Sequence, residues 1–100
     1  MTFKELNEKM GGGESESDWR RASGGGWIHK SAAVDNDKNI KGNAWVSGDA
    51  RVSGDARVSG NAQVYGNAQV YGNARVYGNA RVSGNAWVSG DAQVDRKSVV

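Results

Sequence analysis

The strongest constraint on the fold is a six-residue repeat that runs through most of the chain. From Gly42 the sequence reads GNAWVS, GDARVS, GDARVS, GNAQVY, GNAQVY, GNARVY, GNARVS, GNAWVS and GDAQVD, nine copies without an insertion. The same register places an aliphatic residue at every sixth position from Ile28 through Val94 to Val100, thirteen positions in all. A strict short period is typical of repeat architectures, in which each unit packs on its neighbours.

Each copy of the repeat combines a short strand with a sharp corner. Its Ala and Val are separated by one residue, so both point to the same face of an extended segment while the residue between them points away. The Gly-Asn or Gly-Asp pair supplies the positive φ angles that a corner needs. Only about four residues separate successive corners, which is too few for antiparallel hairpins with strands of about five or six residues. We therefore expect parallel coiling, with three sides to each turn and strands stacked about 4.8 Å apart.

The sequence thus predicts an all-β fold, a parallel β-helix in the form of a triangular solenoid of about four coils over residues 28–100. Residues 1–27 are expected to form a short helix and a glycine-rich linker. Burial of each aliphatic side chain is worth about 1.5–3 kcal/mol, which makes the interior the main stabilising element. Asparagines that recur at the corners are expected to stack from coil to coil and to hydrogen-bond through their side-chain amides.

An aliphatic residue followed four positions later by a small one, as in Val46 to Ala50 or Val52 to Ala56, resembles the left-handed β-helix of hexapeptide-repeat proteins. This resemblance implies left-handed coiling and, from the habit of that family, a trimer. The tandem GDARVSG and GNARVYG copies are similar to short hexapeptide-repeat proteins of phages and prophages. That likeness implies a phage-encoded protein that docks on another protein and inhibits a host defence system.

The start of the chain carries the signals of a short helix. Thr2 and Glu5 form a capping-box sequence, and Phe3, Leu6 and Met10 fall on one helical face. A helix of two turns is not stable alone, so it either belongs to a disordered tail, covers the open first coil or docks on a neighbouring subunit. The stretch GGGESESDWRRASGGG that follows is expected to be a linker.

Outward-facing side chains should form three columns, because residues 18 positions apart lie above one another in a three-sided coil. The first side would carry Trp27, Trp45, Gln63, Arg81 and Val99, the second Ala33, Arg51, Gln69 and Trp87, and the third Asn39, Arg57, Arg75 and Gln93. The position after each aliphatic residue sorts in the same way and places Tyr65 beside the first column. We therefore expect Trp27, Trp45 and Tyr65 to form one exposed aromatic patch with Arg81 beside it, a composition enriched at binding hot spots. The alternative is that these aromatics only cover the strands.

The third side is expected to carry a pair of stacked arginines. Arg57 and Arg75 would meet phosphate or an acidic protein surface, or would act as solvated charges that keep the solenoid soluble. A net charge of +2 is too small to indicate a nucleic-acid-binding protein. The charge balance therefore does not favour nucleic acid as a partner, and solvated arginines are the simpler interpretation of the pair.

Composition removes several classes of function. The chain has no cysteine, which rules out disulfides, thiolate metal sites and a cysteine nucleophile. It has no apolar run long enough to cross a membrane, and MTFKELNEKM lacks the features of a secretory signal, so we expect a cytoplasmic protein. No metal or cofactor is expected.

Catalysis is not expected either. The best-known proteins that share this repeat are acyltransferases that bind an acyl-coenzyme A between subunits and use a histidine as general base. His29 is the only histidine, so it is the only candidate base, and the repeat contains no loop excursion of the kind that those enzymes use. The sequence therefore favours a non-enzymatic solenoid that binds another protein. The alternatives are a solenoid that self-assembles through a strand edge at Val99 and Val100, and an acyltransferase-like enzyme.

Overall fold

The computed structural model describes residues 2–95 and the backbone of Ser98 and Val99. Within this range one helix, α1 (Phe3–Lys9), precedes a series of short strands, with 3₁₀ turns at Glu16–Asp18 and Asp37–Asn39. The strands are β1 (Trp19–Arg21), β2 (Trp27–His29), β3 (Ala33–Val34), β4 (Trp45–Val46), β5 (Arg51–Val52), β6 (Arg57–Val58), β7 (Gln63–Val64), β8 (Gln69–Val70), β9 (Arg75–Tyr77), β10 (Arg81–Val82), β11 (Trp87–Val88), β12 (Gln93–Asp95) and β13 (Ser98–Val99).

The strands form three sheets, one for each side of a solenoid of about four coils. The first side has the order β1-β2-β4-β7-β10-β13, the second β11-β8-β5-β3 and the third β12-β9-β6. From β2 to β12 all paired neighbours are parallel and in register with residues 18 positions away, as Val46 is with Val64. The predicted parallel β-solenoid and the three predicted columns are confirmed up to this point. The left-handed coil stays a prediction of the resemblance.

The column prediction is wrong at the last strand of the first side. Arg81 pairs with Ser98 and Val82 pairs with Val99, so the register step shortens from 18 to 17 residues. Val99 therefore takes the position expected for Val100, which lies outside the described residues. The sequence between Val94 and Ser98 lacks the Gly-Asn or Gly-Asp pair that fixes the length of the other corners.

The interior of the solenoid is filled by the two small side chains of each repeat. The aliphatic residues at every sixth position from Ile40 to Val94 are buried, and so are the alanines from Ala44 to Ala86. Val34, in the first coil, packs against this core but is only partly buried. Because Ala and Val occupy the inward positions, the charged and aromatic side chains of the repeat point outward.

The corners stack as closely as the strands. The glycines at every sixth position from Gly42 to Gly90 have φ between 62° and 69°. A Cβ atom built on Gly48 would lie 2.8 Å from the backbone nitrogen of Gly66 in the next coil, so this corner needs glycine for its φ angle and for its close approach. The predicted side-chain ladder is also confirmed: Asn43 donates to Asn61 at 3.2 Å, and Asn61 donates to Asn79 at 3.3 Å.

The open edge of the first coil is covered by residues that were expected to be a linker. Strand β1 pairs with β2 in antiparallel orientation, and Ala22 joins the buried core. The Gly26 amide then donates to the Ile40 carbonyl at 2.8 Å. The linker interpretation is therefore wrong for this segment, because its backbone hydrogen-bonds to the first coil on two sides.

Helix α1 forms at the predicted place and packs on the solenoid. The capping box is present, since the Glu5 amide donates to Thr2 Oγ1 at 3.2 Å and the Thr2 amide donates to Glu5 Oε1 at 3.0 Å. Leu6 is fully buried, so the disordered-tail alternative is wrong. The helix lies against the first side of the solenoid, and β1 covers the open coil in its place. Among the described residues no helix is long and apolar enough to cross a membrane.

Candidate functional site

The two tryptophans predicted to be exposed are covered by α1. Trp27 and Trp45 are in register on the first side, as expected, but only 6% and 4% of their surfaces are exposed. They form a second buried cluster with Leu6 and Trp19, against which Phe3 and Met10 also pack. The exposed aromatic patch is therefore wrong, because the apolar face of α1 occupies it.

Trp27 contacts two side chains of the N-terminal segment that covers it. The Phe3 ring meets the Trp27 ring edge-on at 5.9 Å between centroids. The Arg21 guanidinium lies 4.5 Å from the centroid of the same indole. Trp27 and Trp45 thus serve as the docking platform for the N-terminal segment, and a partner protein would have to displace α1 to reach them.

Tyr65 and Arg81 lie where α1 ends. Tyr65 is half-buried and lines a shallow depression of about 220 Å³ together with Met10 and Trp45. Arg81 is exposed and lines a neighbouring depression of about 330 Å³ beside Lys9. The predicted residues of the first side are therefore divided into a covered pair and an open pair.

Arg57 and Arg75 lie on the third side, where no helix among the described residues covers them. They are register partners in the adjacent parallel strands β6 and β9, and both side chains are exposed. They line a depression of about 320 Å³ with Lys41, Ser59, Tyr77 and Gln93. Across its floor the Tyr77 hydroxyl donates to Gln93 Oε1 at 3.3 Å. The predicted pair is brought together as expected.

A second depression adjoins the first on the third side. Its volume is about 350 Å³, and its lining residues are Asn36, Lys38, Asn39, Asp55, Arg57, Asn73 and Arg75. Because both depressions include Arg57 and Arg75, this arginine pair stands between them. We call the surface formed by Lys38, Lys41, Arg57 and Arg75 the cationic side.

None of the four cations of the cationic side forms an ion pair in the part of the chain that the structure describes. In residues 2–95 the ion pairs are Arg20 with Asp37 at 3.0 Å and Lys30 with Asp18 at 2.9 Å, both within residues 18–37. Hydrogen bonds from the Ser23 side chain and backbone, together with the Arg20 guanidinium, hold the pKa of Asp37 below its ordinary value. A hydrogen bond from Lys30 lowers the pKa of Asp18 in the same way.

Two outward-facing features were missed or undervalued by the sequence analysis. Lys41 follows an aliphatic residue rather than preceding it, and the 18-residue period would have found it, because it shares a column with Ser59 and Tyr77. Trp87 was placed in the second column but not in the site, although 66% of its surface is exposed. Its ring meets Tyr71 edge-on at 6.4 Å.

His29 is engaged within the N-terminal segment. Its ring packs edge-on against Trp19 at 5.0 Å between centroids, and Nδ1 lies 2.8 Å from Ser31 Oγ. It does not line the depressions on the first or third side. Among the residues that the structure describes, no group of three or more His, Cys, Asp and Glu side chains is placed to bind a metal ion.

Stacked parallel strands, glycine corners and a filled interior define a β-solenoid protein whose varied side chains all lie on its outer sides. A family profile described as YdcK beta solenoid repeat matches the sequence in six overlapping segments, 44–60, 50–66, 62–73, 68–82, 74–90 and 80–96. Together these segments span more than half of the chain, which therefore belongs to the YdcK β-solenoid repeat family. A search of curated proteins and a search of solved structures each found no match.

Proposed function

We propose that this chain is a non-enzymatic binding module that docks on another protein through outward-facing side chains of its solenoid. The observation that carries the proposal is the set of exposed repeat arginines, none of which takes part in an ion pair among the described residues. Exposed arginine is enriched at binding hot spots, since its planar guanidinium forms paired hydrogen bonds with carboxylates. The sides of the solenoid therefore offer charge that a partner would neutralise.

The shape of the surface also favours a macromolecular partner. The depressions on the first and third sides are open and shallow, whereas sites for small molecules enclose most of the ligand surface. A stack of short strands with regular corners gives a nearly flat side, and flat surfaces suit protein docking. His29 contacts Trp19 and Ser31 rather than a depression, which favours binding over acyltransfer.

The narrower form of the proposal is a cytoplasmic, phage-encoded hexapeptide-repeat protein that inhibits a host defence system. Its support is the resemblance of the GDARVSG and GNARVYG copies to short phage and prophage proteins. Self-assembly is the second candidate, and the exposed Trp87 favours it. A large apolar side chain of this exposure, packed against Tyr71, is suited to contact with a second copy.

Affinity capture from bacterial lysate with one charge-changing variant for each side tests the proposal. The variants are Arg81→Glu on the first side, Arg51→Glu on the second and Arg75→Glu on the third. A stoichiometric protein partner that is lost from one variant and kept by the other two is the expected result. If only the protein's own chains are recovered, and Trp87→Ala dissociates them, the chain is a self-assembling solenoid and the docking proposal is wrong.

A further inference from the structure

We propose that the cationic side binds an extended, acidic segment of a partner protein. This inference rests on the proposed function and names the partner's chemistry. It begins with Arg57 and Arg75, whose side chains leave neighbouring parallel strands about 4.8 Å apart. Like charges directly opposite each other on adjacent strands are destabilising, so this pair does not serve to hold the sheet together.

The surroundings of the two guanidinium groups extend the positive surface. Lys41 lines one of the depressions that flank the pair, and Lys38 lines the other. Four cations thus face solvent on one side, and none of them forms an ion pair among the described residues. Such a surface binds carboxylates in succession along a chain.

The spacing of the arginine pair is compatible with an extended acidic segment. In an extended chain, side chains on one face recur at about 6.6–6.8 Å, since each residue advances about 3.3–3.4 Å. Long arginine side chains adjust readily from a spacing of about 4.8 Å to that distance. Successive carboxylates on one face of the segment can then pair with Arg57 and Arg75, each by two parallel hydrogen bonds.

Acidic residues at the border of the cationic side favour a peptide over nucleic acid. Asp55 lines the second depression beside Arg57, and Asp95 pairs in register with Tyr77, which lines the first. A peptide can place neutral residues opposite these carboxylates. A nucleic acid carries a phosphate at every nucleotide and would meet both of them.

Fluorescence polarisation of the full chain with a short labelled peptide of alternating glutamate and serine tests this inference. At physiological ionic strength we expect saturable binding by the wild-type protein and none of the glutamine-serine analogue. Arg57→Glu with Arg75→Glu should weaken binding by about tenfold or more. The matched control, Arg51→Glu with Arg81→Glu, has the same net charge on the other two sides and should stay within about threefold, because screening limits long-range effects.

Three results would overturn the inference: no binding by the wild-type protein, equal loss in the two double variants, or equally tight binding of an oligothymidylate of matched length. Should Arg57→Glu with Arg75→Glu fail to fold, Arg57→Gln with Arg75→Gln serves in its place. Removal of the like charges should leave its melting temperature equal to or above wild type while peptide binding is lost. If the peptide does not bind but the Arg75→Glu variant still captures a partner, this inference fails and the proposed function stands.

Discussion

Replacement of a corner glycine by alanine should destabilise the solenoid in proportion to how closely the next coil approaches. Gly48 and Gly90 have nearly the same φ, 65° and 64°, so alanine at either position pays about 1–2 kcal/mol for the left-handed conformation. The added Cβ at Gly48 would lie 2.8 Å from the Gly66 nitrogen and 3.0 Å from its carbonyl oxygen. At Gly90 it would meet no atom of the described residues within 4 Å.

The difference between the two variants measures the cost of the close approach. Forcing a backbone contact apart in a packed structure costs about 1–3 kcal/mol, so Gly48→Ala should lose about 2–5 kcal/mol and Gly90→Ala about 1–2 kcal/mol. For a chain of this size each kcal/mol lowers the melting temperature by about 4–8 °C. Gly54→Ala, whose Cβ would lie 3.3 Å from Gly72, should fall between the two and controls for position along the stack.

Thermal unfolding followed by circular dichroism, with the free energy taken from chemical denaturation, measures this series. We expect the order Gly48→Ala, Gly54→Ala, Gly90→Ala from the largest loss to the smallest. Equal losses at all three positions would show that only the φ angle matters. The account of glycine as the residue that lets coils stack would then be wrong.

Two further predictions concern the N-terminal segment. Trp45→Ala should lower the free energy of unfolding by about 3–5 kcal/mol and remove the hydrogen-exchange protection of α1, because the indole is buried beneath Leu6. The control variant Tyr65→Ala should leave α1 protected. Unchanged protection of α1 in Trp45→Ala would refute the role of Trp45 as a docking platform. Asp37 has a lowered pKa, so its contribution to stability is present above the unfolded value of about 3.9 and is lost as pH falls through the lower folded value. Acid should therefore break the contacts of residues 20–23 with Asp37, which an NMR titration detects as a pH dependence of their signals. Asp37→Asn should abolish that pH dependence. An identical profile in Asp37→Asn would refute the role of this carboxylate.

The fold was predictable because its information is local and repeated. The distance between Ala and Val within a copy sets the inward face, and the glycine sets the corner. Three six-residue sides then fix the columns, which is why Arg57 and Arg75 were correctly paired. Where the repeat loses its glycine after Val94, the register changed by one residue and the prediction for Val99 failed.

Exposure was not predictable from the same pattern. The period places Trp27 and Trp45 on the outside of the coil, and only the path of the non-repeating N-terminal segment decides that α1 covers them. That segment also forms β1, whose pairing with β2 depends on contacts that no repeat encodes. Lys41 escaped notice for a different reason, because it occupies the outward position that follows an aliphatic residue, whereas Arg57 and Arg75 occupy the position that precedes one.

Arginine labelling with phenylglyoxal, followed by mass spectrometry in the presence and absence of the captured partner, tests whether the cationic side is the docking surface. All four repeat arginines compared, Arg51, Arg57, Arg75 and Arg81, are exposed in the free protein. We expect the partner to protect Arg57 and Arg75 while Arg51 and Arg81 remain reactive. Protection of Arg51 or Arg81 alone, or equal labelling of all four with the partner bound, would contradict this expectation.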